Sequence, residues 1–138
     1  MARRLTDEAI RYLGVFESLT AVEAIDCVVD EEHDRVVFVV AAGQLAEAIG
    51  PGGATVTRVE SRLDRDVTLV EMADRPEDFV ANALRPAAVY DVVIEDGVAR
   101  AEVAEDDVGA AIGRDGRTIE LARVLARRLY DVDDVELV

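Results

Sequence analysis

The stretch Ala48-Ile49-Gly50-Pro51-Gly52-Gly53-Ala54-Thr55-Val56 has a counterpart 63 residues further on, Ala111-Ile112-Gly113-Arg114-Asp115-Gly116-Arg117-Thr118-Ile119. A single Gly-x-x-Gly is no more than a tight turn with glycine caps. Two copies, each after Ala-Ile and each before an apolar helical pattern, mark a tandem repeat. The segments before them correspond as well. Cys27 to Val40 reads as a hydrophobic hairpin around Glu31-Glu32-His33-Asp34, and Tyr90 to Val103 as another around Glu95-Asp96-Gly97.

Working outward, each copy reads α-β-β-α-α-β. In the first, Thr6 caps a helix to about Leu19 with Ile10, Leu13 and Phe16 on one stripe. Strands follow near 25–30 and 35–40, then a short helix at 43–49, the glycine loop, a helix at 53–64 and a strand from Val67 to Met72. The 53–64 helix turns Val56, Val59 and Leu63 inward. In the second, Pro76 opens a helix that stops before Pro86. Strands near 89–95 and 98–103, a short helix at 105–112, the second loop, a helix at 116–129 and a strand near 134–138 complete it. Ile119, Ala122, Ala126 and Leu129 form the long helix's buried stripe. The predicted domains are 1–73 and 74–138, and their short connection predicts that they pack together.

A helix–Gly-x-x-Gly–helix unit has a plain physical use. Glycines let the chain turn sharply and let a phosphate backbone approach with no Cβ in the way. The following helix offers unpaired N–H groups and the positive end of its dipole. This arrangement is the KH module, which clamps a short single strand. The candidate RNA-binding residues are therefore Ile49, Gly50, Pro51, Gly52, Gly53 and Arg58 in the first copy, and Ile112, Gly113, Arg114, Asp115, Gly116 and Arg117 in the second. Asp115 facing a phosphate costs affinity unless it caps the helix that starts at Gly116.

The chain resembles the archaeal NusA-like transcription factors, which consist of two tandem KH domains of the prokaryotic type. The resemblance rests on Ile10-Arg11-Tyr12, Val15 to Thr20, Arg35 to Val40, Ala48-Ile49-Gly50 with Gly53, Arg85-Pro86-Ala87, Ala111 to Arg117, Leu121-Ala122-Arg123 and Asp131 to Val135. It implies an α+β fold of two type II KH domains, each a three-stranded mixed sheet covered by helices. It also implies binding of single-stranded RNA, the nascent transcript, during transcription elongation, termination or antitermination. RNA polymerase and other transcription factors are the further partners it suggests. The polymerase-binding and OB-type domains of bacterial NusA have no room in these 138 residues. KH loops often carry basic residues at the two variable positions. Pro51-Gly52 carries no charge, and Arg114-Asp115 nearly cancels.

Composition at first points elsewhere. The chain has 15 Arg, no Lys and 30 acidic residues, for a net charge of −15. A basic surface is the usual footprint of nucleic-acid binding. The acids are spread along the whole chain, however, and form no tail. Near molar salt the Debye length is about 3 Å, so such a charge repels itself little and keeps the surface hydrated. The acid excess therefore reads as adaptation to a salt-rich cytoplasm, that of a halophilic archaeon. It is also uneven. Gly43 to Arg65 is neutral, Gly109 to Arg128 carries +3, and the rest holds −18. The arginines Arg58, Arg62 and Arg65 share a helical stripe, while Arg123, Arg127 and Arg128 either face the ligand or pair with neighbouring acids.

Other readings compete. Asp30-Glu31-Glu32-His33-Asp34 has metal-ligand residue types, but it sits in a hairpin turn without ligands from a second element. One His and one Cys, with no convergent base, leave no acid–base or covalent constellation, so no enzyme and no cofactor is expected. Cys27 reads as a small core residue. A KH protein of RNA processing or ribosome assembly, or a protein–protein adaptor that no longer binds RNA, would share the fold. No apolar run is long enough to span a membrane and no signal peptide is visible, so a cytoplasmic protein is expected.

Overall fold

The protein's structure is a computed structural model that describes residues 5–138. Residues 1–4, which open the first predicted domain, lie outside the described residues. The chain divides into two compact units, one ending at Met72 and the other covering Ala73–Val138.

The first unit runs α1 (Asp7–Thr20), β1 (Ala24–Asp30), β2 (Arg35–Val40), α2 (Leu45–Ile49), α3 (Ala54–Leu63) and β3 (Asp66–Glu71). The second repeats the order as α4 (Pro76–Ala83), β4 (Val89–Glu95), β5 (Val98–Val103), α5 (Val108–Ile112), α6 (Arg117–Tyr130) and β6 (Asp134–Leu137). Each holds a mixed three-stranded sheet. β2 pairs antiparallel with β1 and parallel with β3, and β5 does the same with β4 and β6. None of the described helices is long and apolar enough to cross a membrane.

α1 starts as its sequence predicts, with the Thr6 hydroxyl accepting from the Ala9 N–H at 3.0 Å. Its buried stripe is rotated from the expected one. Ala9, Tyr12, Phe16 and Thr20 face the core, and Ile10 is 55% exposed. Burial of Thr20 is allowed because its hydroxyl donates to the Phe16 carbonyl at 2.8 Å and accepts from the Val22 N–H at 3.1 Å. The stripe then lands on the sheet through Phe16, whose ring stacks on Phe38 of β2 at 4.3 Å. In the second unit Phe79 of α4 meets Tyr130 of α6 at 5.2 Å.

The middle strands differ. Every residue of β2, Arg35 included, is buried. In β5, Ala99, Ala101 and Val103 are buried, whereas Glu102 is exposed and Arg100 half-buried. Arg35 is tolerated in the interior because its Nε donates to Asp30 Oδ2 at 2.9 Å across the hairpin. On α3, Val59 is buried and Val56 and Leu63 are half-buried. On α6 the core stripe includes Leu121 and Leu125 beside Ile119, Ala122 and Ala126, while Leu129 lies at its half-buried edge.

Candidate nucleic-acid interface

Each glycine loop is built the same way. α2 ends where Gly50 takes φ 77° and ψ 169°, and α5 ends where Gly113 takes 79° and 167°. Only glycine occupies that region readily. The chain then makes a short 3-10 turn, Pro51–Gly53 or Arg114–Gly116. The middle residue is left-handed in both, Gly52 at φ 61° and Asp115 at φ 55°. Gly53 and Gly116 follow at φ 79° and 78° as the N-caps of α3 and α6. The hydrogen bonds match too. Gly53 N donates to Gly50 O and Gly116 N to Gly113 O, each at 3.1 Å. Ala54 and Arg117 donate their N–H groups to the carbonyls of Pro51 and Arg114. The turn thus satisfies two N–H groups that the bare motif suggests are open.

The first glycine of each loop is also required by space. A Cβ at Gly50 would stand 2.1 Å from Thr55 Oγ1, and one at Gly113 would stand 2.3 Å from Thr118 Oγ1. These threonines lie against the loop at the start of α3 and α6. They were not among the candidate residues, although the repeat places a Thr at the same offset in both copies. Gly52 has open space where a Cβ would go.

Beside each loop the short helix buries its alanine and shows its isoleucine. Ala48 and Ala111 are fully buried, while Ile49 and Ile112 are 38% and 42% exposed. Each loop therefore adjoins an exposed apolar side chain, a surface that suits an unstacked base.

The arginines sort into two groups. Arg123 bonds Asp134 at 3.0 Å and the Val135 carbonyl at 3.1 Å, and Arg127 bonds the Asp133 carbonyl at 3.1 Å. Arg123 ties α6 to β6 through Asp134 and Val135, and Arg127 ties it to Asp133 just before the strand. Arg65 is drawn off the expected stripe. It pairs with Glu31 at 3.3 Å, and that hydrogen bond holds its guanidinium above its ordinary pKa. Arg58 and Arg62 stay exposed on α3, and Arg114 is exposed in the second loop. These three form no ion pair among the described residues. Arg117 folds back so that its Nε donates to the Arg114 carbonyl at 3.2 Å.

Asp115 caps nothing. Neither the 3-10 turn nor α6 has a side-chain cap. Asp115 is left-handed one place before the N-cap, and the cap expected of it is not formed. In the 30–34 turn the acids serve the hairpin. Asp30 holds Arg35 and accepts from the His33 N–H, and Glu31 holds Arg65. Cys27 is buried in the first core.

Comparison with known proteins agrees with this geometry. A family model described as a KH domain matches residues 10–74, and one described as a NusA-like second KH domain matches residues 76–136. The probable transcription termination protein NusA of Halococcus morrhuae is 55% identical over 136 residues, covering 96% of each chain. Its counterpart in Halobacterium salinarum is 51% identical over 140 residues, covering 99% of each. Among solved structures, the crystal structure of APE1850 superposes with a TM-score of 0.83 at 34% identity, covering 97% of this chain and all of that one.

Proposed function

The chain belongs to the archaeal NusA-like family of tandem KH proteins, in its halophilic branch, and from that premise we propose that it binds the single-stranded nascent transcript through both glycine loops during elongation, termination or antitermination. The observation that carries this reading is the shared backbone of the two loops. Gly50, Gly52 and Gly53 match Gly113, Asp115 and Gly116 angle for angle, although the variable side chains have nothing in common. A turn kept in shape while its side chains change is a turn used through its main chain.

The grip follows from that geometry. A phosphate approaches the glycine backbone and the first turn of α3 or α6, whose dipoles present their positive ends. Arg58 and Arg114 stand exposed beside those loops, and Ile49 and Ile112 offer apolar contact for a base. Counterion release drives binding weakly in concentrated salt, so these short-range contacts carry the affinity.

The test replaces the variable positions by aspartates, Pro51→Asp and Gly52→Asp in the first loop and Arg114→Asp in the second. In the most dilute KCl that keeps the native fold, single-stranded RNA binding is expected to be lost while far-UV circular dichroism is unchanged. Unchanged binding would remove the clamp, and no binding by the unaltered protein would favour a protein–protein adaptor. Crosslinking in native salt with sequencing of the bound RNA separates nascent transcripts from ribosomal precursors.

A further inference from the structure

The two loops share one backbone but not one charge, and the difference sits at a single position. Gly52 and Asp115 occupy the same left-handed place, the tip of the turn one residue before the helix cap. A left-handed conformation costs an L-residue energy that glycine does not pay, so Asp115 is the strained choice of the two. Asp115 is exposed, caps neither the turn nor α6, and has no ion-pair partner among the described residues. An ionised carboxylate is an acceptor only and cannot hydrogen-bond a phosphate oxygen. Its neighbour Arg114 is likewise exposed and forms no ion pair among the described residues. The second loop therefore offers a phosphate one attractive and one repulsive charge side by side.

We propose that Asp115 gates the second loop by salt. In dilute salt its carboxylate holds the phosphate backbone off the loop, and in concentrated salt that repulsion is screened and the loop closes on the strand. This rests on the reading of the loops as phosphate clamps. The Debye length falls from about 10 Å at 0.1 M to about 3 Å at 1 M, so a repulsion acting over several ångströms is felt at the first concentration and lost at the second. Backbone N–H contacts and the Ile112 surface act at contact distance and are not screened in this way. The first loop, with no side chain at its tip, has no such gate. The part of the salt dependence that Asp115 sets runs opposite to that of an ordinary phosphate contact, which weakens as salt rises.

The structure supplies a reciprocal test, because the backbone accepts either residue at either tip. Asp115→Gly relieves strain, and Gly52→Asp meets no atom within 4 Å of its Cβ. Asp115→Asn removes the charge and keeps the size. Affinity for a fluorescent single-stranded RNA is measured from the lowest KCl concentration at which circular dichroism shows the native fold up to about 3 M, several-fold beyond the point where screening is complete. At the low end Asp115→Gly and Asp115→Asn are each expected to bind about three- to tenfold tighter than the unaltered chain, and at the high end by less than about twofold. Gly52→Asp is expected to show the mirror image, weaker at the low end and unchanged at the high end.

If Gly52→Asp weakens binding but neither Asp115 variant strengthens it, the clamp stands and the gate is refuted. A gain for Asp115→Gly without one for Asp115→Asn assigns the effect to the side chain's bulk and also refutes the gate. A gain of equal size at both ends of the salt range does the same. If the chain binds RNA and all three variants bind identically at every concentration, the loops do not hold the strand, and the proposed function falls together with the gate.

Discussion

Thr55 stands against Gly50 so closely that a Cβ added to the glycine would lie 2.8 Å from the Thr55 backbone nitrogen as well as 2.1 Å from its Oγ1. Gly113 and Thr118 repeat the arrangement, again with the backbone nitrogen at 2.8 Å. A hydroxyl can rotate away but a backbone nitrogen at the start of a helix cannot. Gly50→Ala and Gly113→Ala are therefore expected to cost about 1–3 kcal/mol each in backbone strain alone, with the clash added to it. Gly52→Ala, left-handed but in open space, is expected to cost only about 1 kcal/mol. Urea denaturation at constant KCl orders the three. Equal losses would show that space at the first glycine is not the constraint.

The glycines were legible in the sequence because repetition made them so. The same repetition carried Thr55 and Thr118, yet a threonine in a helix's first turn has too many ordinary uses to stand out. Element order followed from period and from turn residues, and the mixed sheet from the family resemblance. Helix rotation did not. Ile10, Leu13 and Phe16 make a plausible stripe, but Phe16 stacks on Phe38, and that contact turns Tyr12 inward and Ile10 outward. Arginine partners were equally hidden, because Glu31 reaches Arg65 from 34 residues away and Asp134 reaches Arg123 from the next strand. Spacing along one helix shows only neighbours on that helix.

Arg58 and Arg65 lie on one helix and its edge, but among the described residues Arg65 has an acidic partner and Arg58 has none. Arg58→Ala is expected to weaken RNA binding about two- to tenfold, the worth of one hydrogen-bonded contact, and to leave stability unchanged. Arg65→Ala is expected to leave RNA affinity alone and to lower stability only slightly, as for other exposed pairs. Binding isotherms and thermal melts of both variants check the split. Equal loss of affinity would return Arg65 to the interface.

Tyr130 ends α6 with its hydroxyl donating to the Ala73 carbonyl while its ring packs on Phe79. Burial raises its pKa, and the nearby Asp74 carboxylate acts in the same direction. The folded unit thus prefers the neutral phenol. Its contribution is complete below the unfolded tyrosine's pKa and is lost as pH rises through the higher folded value. Stability is expected to be flat across neutral pH and to fall in the alkaline range, above about pH 10. Tyr130→Phe keeps the ring contact, costs about 1 kcal/mol at pH 7 and flattens part of the alkaline loss. Denaturation curves against pH for both proteins decide it. An unchanged alkaline slope in the variant would assign the loss to other groups.

Asp64 terminates α3 in a left-handed conformation, φ 54°, where its N–H closes the helix on the Glu60 carbonyl. Its carboxylate therefore sits at the negative end of the α3 dipole, an unfavourable place for an anion. Glycine or asparagine would serve the same turn without the charge. Two substitutions separate the two costs. Asp64→Asn removes only the charge and is expected to stabilise the first unit by about 0.3–1 kcal/mol in dilute KCl, a gain that vanishes above about 1 M as the dipole is screened. Asp64→Gly adds relief of the left-handed strain, about 1 kcal/mol, at every salt concentration. A thermal melt series against KCl reads both. A salt-independent gain for Asp64→Asn would mean that the dipole is not what its carboxylate feels. A salt-dependent one would assign the cost to the carboxylate's place at the negative end of the α3 dipole.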